Sequence, residues 1–158
     1  MTTNKFIVKI HALLCNYTYK EALSMKEFTE KFKALADETR LRILNLLINS
    51  NSELCVCELT DALEIPQYNI SRHLKIIRNA GLIEERKEGR WVYFGLAKGN
   101  DAFTETIFDS IKRISATQLS KDLVELDKRF AIRTGGKCLL GIQKKHLMGS
   151  HVQREPIK

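Results

Sequence analysis

Cys55 and Cys57 stand one residue apart in Glu53-Leu54-Cys55-Val56-Cys57-Glu58-Leu59, and two soft sulfur donors this close suit a single thiophilic ion. Residues two apart on an ideal helix point about 200° from each other, so sharing an ion requires irregular backbone between them. The start of a short helix, after the polar loop Asn49-Ser50-Asn51-Ser52, is such a place, and its dipole also favours thiolate. Two thiolates fit arsenite, antimonite, cadmium, lead or zinc, whereas magnesium and calcium prefer oxygen. They leave the ion short of ligands, because a tetrahedral ion takes four donors and three-coordinate arsenic takes three. Cys15 and Cys138 are the other two of the four cysteines, and either could supply the next sulfur. Cys15 is the favoured one, because Cys138 lies beyond a Gly135-Gly136 step that makes ordering it costly.

The elements that must position these thiols follow from apolar spacing. Val56, Leu59 and Leu63 fall on one face of a short helix, and Ile65-Pro66 ends it, since proline disfavours helical geometry in the residue before it. Pro66 suits the first turn of a second helix, in which Ile70, Leu74 and Ile77 continue the period. Two short helices joined by a tight turn make a helix-turn-helix. With those three residues inward, Tyr68, Ser71, Arg72, Lys75 and Asn79 turn outward, and no acid occurs from Gln67 to Ala80. Gly81 reads as the helix C-cap. Leu82–Arg86 and Trp91–Phe94 read as strands joined by a turn at Lys87-Glu88-Gly89-Arg90, the shape of a β-wing that could touch a phosphate backbone or the minor groove. The expected DNA-contacting set is Gln67, Tyr68, Asn69, Ser71, Arg72, His73, Lys75, Lys87 and Arg90.

With these elements in place, the sequence resembles the ArsR family of winged-helix metalloregulatory repressors from about Phe28 to Leu96. The resemblance rests on Leu35-Ala36-Asp37-Glu38-Thr39-Arg40-Leu41-Arg42-Ile43-Leu44, on the cysteine segment, on Ser71-Arg72-His73-Leu74 and on Gly89-Arg90-Trp91-Val92-Tyr93. It implies a homodimer on double-stranded operator DNA, released when a toxic thiophilic ion binds, with Cys55 and Cys57 matching the family's thiolate pair. It also implies that members with an N-terminal extension complete the site from it, which again favours Cys15. Zinc-responsive relatives use Asp, His and Glu on the dimerisation helices. This chain has no histidine between His73 and His146, so that second site is not expected.

Composition narrows the alternatives. Of the net charge of +7, residues 1–24 contribute +2, residues 25–134 only +1 and residues 135–158 +4, so the high pI describes the ends of the chain. Phe6–Leu14 is too short and interrupted to span a bilayer, and a cytoplasmic protein without membrane association is expected. Neither a Ser-His-Asp or Cys-His constellation nor a glycine-rich phosphate loop is evident, so neither enzymatic activity nor an organic cofactor is expected. A thiol redox sensor on the same scaffold is the rival reading.

The expected fold is mainly α with a small β-hairpin wing, dimerising through terminal helices. Residues 1–24 form an N-terminal extension, with Met1 and Met25 both candidate starts, and residues 25–98 the winged helix-turn-helix. Phe28, Phe32 and Leu35, then Leu41, Leu44 and Ile48, mark two amphipathic helices with Asp37 as N-cap, and Ser50 with Glu53 has capping-box spacing. In residues 99–134, Phe103, Ile107, Ile111 and Ile114 form one stripe and Leu119, Leu123, Leu126 and Phe130 another. These exceed what one small core needs and predict a dimer interface over 101–130. Residues 135–158 read as a basic flexible tail.

Overall fold

The computed structural model describes residues 24–99 and 101–144, and the chain divides into two compact units, residues 1–30 and 31–158. Cys15, His11, His146 and His151 lie outside the described residues. Helix α1 spans Met25–Leu35. At its start Glu27 N–H donates to Ser24 Oγ at 3.3 Å and Ser24 N–H donates to the Glu27 carboxylate at 2.6 Å, a reciprocal cap.

In the larger unit follow α2 (Glu38–Ser50), β1 (Leu54–Cys55), α3 (Val56–Leu63), α4 (Gln67–Asn79), β2 (Ile83–Glu88), β3 (Trp91–Leu96), α5 (Ala102–Lys112) and α6 (Thr117–Phe130). Asp37 caps α2 as its sequence position predicts, accepting the Arg40 N–H at 3.0 Å. Ser50 does not cap a helix. It is the last residue of α2, and the acid that reaches back to a helix start is Glu58, whose carboxylate accepts the Cys55 N–H at 2.9 Å.

Helices α3 and α4 form the helix-turn-helix. Glu64, in left-handed geometry, ends α3, and Pro66 sits at the N-cap of α4, one place earlier than expected. The helix stops in a Schellman turn: Leu82 N–H donates to Ile77 O and Gly81 N–H to Arg78 O, with Gly81 at φ 70°, a region that costs a side chain strain. Strands β2 and β3 make the wing in antiparallel register from Ile83↔Leu96 to Glu88↔Trp91, leaving Gly89-Arg90 as a two-residue loop. Lys87 therefore pairs with Val92 inside the strand and is not in the turn. A third strand, β1, extends the sheet to the order β1-β3-β2. It sets Cys55 opposite Tyr93.

The core gathers Ile43, Leu44, Leu46 and Leu47 of α2 with Leu59 and Leu63 of α3, Ile70, Leu74 and Ile77 of α4, and Ile107, Phe108, Ile111 and Leu126 of the last helices. The two terminal stripes are thus largely used within the chain, and the Ser115-Ala116 step divides them into separate helices. Ile114 of the first stripe stays exposed, as does Val124 on α6 outside the second. Arg42 anchors α6 by a two-pronged contact with Asp122, 2.7 and 2.8 Å, while donating to Leu63 O at 3.1 Å.

The segment expected to be a flexible tail from residue 135 is instead packed as far as Lys144. Gly135 and Gly136, at φ 59° and 74°, turn the chain so that Thr134 and Lys137 exchange two backbone hydrogen bonds of 3.1 Å. The strap 137–144 then crosses α3. Asp61 accepts the backbone N–H of Gln143 at 2.9 Å and of Lys144 at 3.0 Å, while Lys144 Nζ reaches Glu64 and Glu125. Lys137 pins the other end on Glu88 of the wing. Four acids supply the order that local sequence does not.

Candidate metal centre and nucleic-acid interface

Each thiol is placed by a different device. Cys55 ends β1 in extended geometry (φ −86°, ψ 161°) and is the N-cap of α3, while Cys57 is already helical. That change of backbone at the helix start swings the two sulfurs together, so that their Sγ atoms lie 2.6 Å apart as free thiols. The strap brings Cys138 Sγ to 3.2 Å from Cys57 Sγ. All three sulfurs fall within 4.8 Å of one another. Thiolates bound at about 2.3 Å around one tetrahedral ion sit about 3.8 Å apart, so small side-chain rotations bring the group to ligand geometry.

The surroundings divide the protons unevenly. Donation from the Cys55 and Cys57 thiols, together with the Arg129 guanidinium, holds the Cys138 thiol down at about 3. The Cys138 sulfur and burial push Cys57 up to about 12, and Cys55 is raised as well. One negative charge is thus shared by a buried trio. Beneath it, Glu58, wholly buried, receives Arg133 Nε at 2.7 Å and Nη2 at 2.9 Å. Arg133 also donates to Glu53 O at 2.8 Å. Tyr93 closes the site from the wing, its hydroxyl 3.4 Å from the Cys138 carbonyl.

Sequence reasoning did not single out Glu58, Asp61, Arg129 or Arg133. The available signal was two acids three apart beside the cysteines, on one face of a short helix, and two arginines four apart, Arg129 on the last helix and Arg133 just beyond its end.

On the face of α4 turned away from the core, Gln67, Tyr68, Asn69, Ser71, Arg72 and Lys75 are exposed, as their helical phase predicts. Arg72 lies 5.7 Å over the Tyr68 ring, and Arg90 lies 5.3 Å over the Trp91 ring at the wing tip. Arg72, Lys75, Lys87 and Arg90 have no ion pair among the described residues. His73 departs from this group: it is half-buried, with Nδ1 3.5 Å from the Asp37 carboxylate at the start of α2. Arg78 is engaged by Glu85 of the wing.

This combination of a helix-turn-helix, a three-stranded wing and an acid-free recognition face defines a winged-helix DNA-binding protein. Residues 37–85 match the family described as bacterial regulatory protein, arsR family. The chain is 43% identical over 95 residues to the arsenic resistance transcriptional regulator ArsR1 of Pseudomonas putida, spanning 60% of this chain and 73% of that protein. It is 48% identical over 82 residues to the arsenical resistance operon repressor of Escherichia coli, 52% of this chain and 69% of that one. Among solved structures, HlyU from Vibrio cholerae matches at 33% identity and a TM-score of 0.49, over 56% of this chain and 90% of that chain. The chain belongs to the ArsR family of DNA-binding transcriptional regulators. Among the described residues no helix is long and apolar enough to cross a membrane.

Proposed function

We propose that the protein is a homodimeric repressor that leaves its operator when a thiophilic ion, arsenite or antimonite first and cadmium or lead next, is held by Cys55, Cys57 and Cys138. The observation that carries this reading is the approach of three free sulfurs within 4.8 Å, on elements that touch both DNA-facing parts. Helix α3 packs on the recognition helix, and Cys55 pairs with Tyr93 in the wing strand. The names of the relatives, arsenic resistance regulators among them, support the same class of ion. Exposed Val124 on α6 and Ile114 in the connection before it support pairing with a second copy, as a two-fold operator requires. The test is to titrate arsenite, antimonite, cadmium and lead against the protein bound to its upstream DNA, recording which releases it and at what stoichiometry.

Oxidation of the same thiols is a second reading, favoured by the ionised Cys138 beside a thiol. Burial weighs against it, since relative exposures of 1%, 7% and 2% for Cys55, Cys57 and Cys138 leave little room for peroxide to enter. Release by peroxide in metal-free buffer, with a disulfide in non-reducing mass spectrometry, would establish oxidation in place of ion binding.

The proton distribution predicts opposite pH behaviour for the two classes of ion. Binding a divalent cation to one thiolate and two thiols releases about two protons, so affinity rises with pH between about 3 and 12, the values for Cys138 and Cys57. Arsenous acid is neutral and loses three waters, which needs three protons. Two come from the thiols and one from solution, so its affinity falls as pH rises. Calorimetry at neutral pH in buffers of different ionisation enthalpy reads the sign directly, and the same sign for both ions would overturn the assignment of one thiolate to the free site.

At the DNA interface, Lys75→Ala is expected to weaken binding across sequences and reduce the salt dependence by about 0.9 in slope, as loss of one phosphate contact requires. Arg72→Ala is expected to cost about 1–3 kcal/mol and relax discrimination at one base pair. Unchanged binding isotherms in both variants would remove α4 from the interface.

A further inference from the structure

Arg129 forms part of the wall of the thiol site without being one of its sulfur donors. Its side chain, on α6, is 5% exposed. Nη2 lies 3.5 Å from Cys138 Sγ and 3.9 Å from Cys57 Sγ, and donates to Leu140 O at 2.9 Å. Nη1 lies 3.3 Å from Asp61 Oδ2, whose carboxylate also anchors the strap through the Gln143 and Lys144 amides. The guanidinium is therefore fixed in place from two sides. A guanidinium carries a delocalised positive charge, and burial strengthens its effect on neighbouring charge.

This matters because complexes of the same three sulfurs differ in charge. Three thiolates around trivalent arsenic or antimony are neutral in sum, whereas around divalent cadmium or lead they leave a single negative charge. A fixed positive charge beside the sulfurs stabilises the anionic complex and does little for the neutral one. Asp61, on the far side of the guanidinium, opposes that effect.

We propose that Arg129 sets the ion preference of this site, raising its affinity for soft divalent cations relative to arsenite, with Asp61 as the counter-charge that limits the bias. The inference rests on the reading of Cys55, Cys57 and Cys138 as one ion site. It assigns Arg129 a role apart from packing, because the two charge partners must shift the preference in opposite directions.

The experiment titrates cadmium ion and, separately, arsenite into the reduced full-length protein, following thiolate-to-metal absorption and obtaining affinities by competition with a dithiol. The cadmium-to-arsenite affinity ratio is expected to fall about ten-fold or more in Arg129→Gln, to stay within about three-fold of wild type in Arg129→Lys, and to rise in Asp61→Asn. Equal loss of both ions in Arg129→Gln, or a ratio that does not move, overturns the assignment of Arg129 while leaving the ion site standing. If Arg129→Gln does not fold, Asp61→Asn decides, and a ratio that is unchanged or lower overturns the proposal. Absence of a sulfur-to-metal band with either ion in the wild type overturns the ion site itself, and the proposal with it.

Discussion

Cys138→Ser is expected to bind operator DNA as the wild type does and to lose release by the inducing ion altogether. Serine keeps the size and hydrogen-bonding reach of the side chain, so the strap stays on Asp61 and Glu88, but its oxygen is a poor ligand for a thiophilic ion. Cys55→Ser and Cys57→Ser are expected to behave alike. In the wild type the ion should weaken operator binding about 5–150-fold, the usual range for coupled sites, and linkage requires the ion to bind the DNA complex more weakly by the same factor. Deleting residues 1–24, which removes Cys15, is expected to leave release intact. The reverse pattern, in which the deletion abolishes release and Cys138→Ser does not, would transfer the third ligand to Cys15. The readouts are operator titrations with and without ion, and the intensity of the sulfur-to-metal absorption.

How far the sequence could lead follows from which contacts are local. Helices α3 and α4, the break at Ile65-Pro66 and the wing were legible because their signals are apolar period, proline and a turn glycine, each acting within a few residues. The backbone change between Cys55 and Cys57 was legible too, from helical geometry alone. Strand β1 was not, because two residues carry no periodicity and its order comes from pairing with Phe94 and Tyr93 across the fold. The order of the strap is hidden from local sequence for the same reason. Its basic composition and paired glycines suggest freedom, yet its order comes from Asp61, Glu64, Glu88 and Glu125, all distant in sequence. His73 illustrates the limit at single-residue scale: its helical position places it beside the exposed face of α4, but the start of α2, with Asp37 3.5 Å away, half-covers it.

The buried ion pair beneath the sulfurs should dominate the protein's stability response. Glu58→Ala is expected to destabilise the fold by about 3 kcal/mol or more, in the range found when one partner of a buried pair is removed. The cause is not loss of attraction alone. Arg133 would keep its charge in a half-buried position with no carboxylate to meet it, and the Cys55 N–H would lose its acceptor at the helix start. Arg133→Met is expected to be similarly costly, because it leaves the Glu58 carboxylate fully buried and alone. Combining Glu58→Gln with Arg133→Met should recover part of the loss, since no charge is then stranded and the introduced amide oxygen can still accept from the Cys55 N–H. Urea unfolding of the reduced, ion-free protein measures these variants together with the single Glu58→Gln, which closes the cycle with Arg133→Met. Strict additivity in the double variant would mean that the two side chains act independently and that the pair does not hold the end of α6 to α3. If they do act as a pair, the same substitutions should weaken ion binding, because Glu58 fixes the helix start that brings Cys55 and Cys57 together and Arg133 fixes the turn from which the strap carries Cys138 to them.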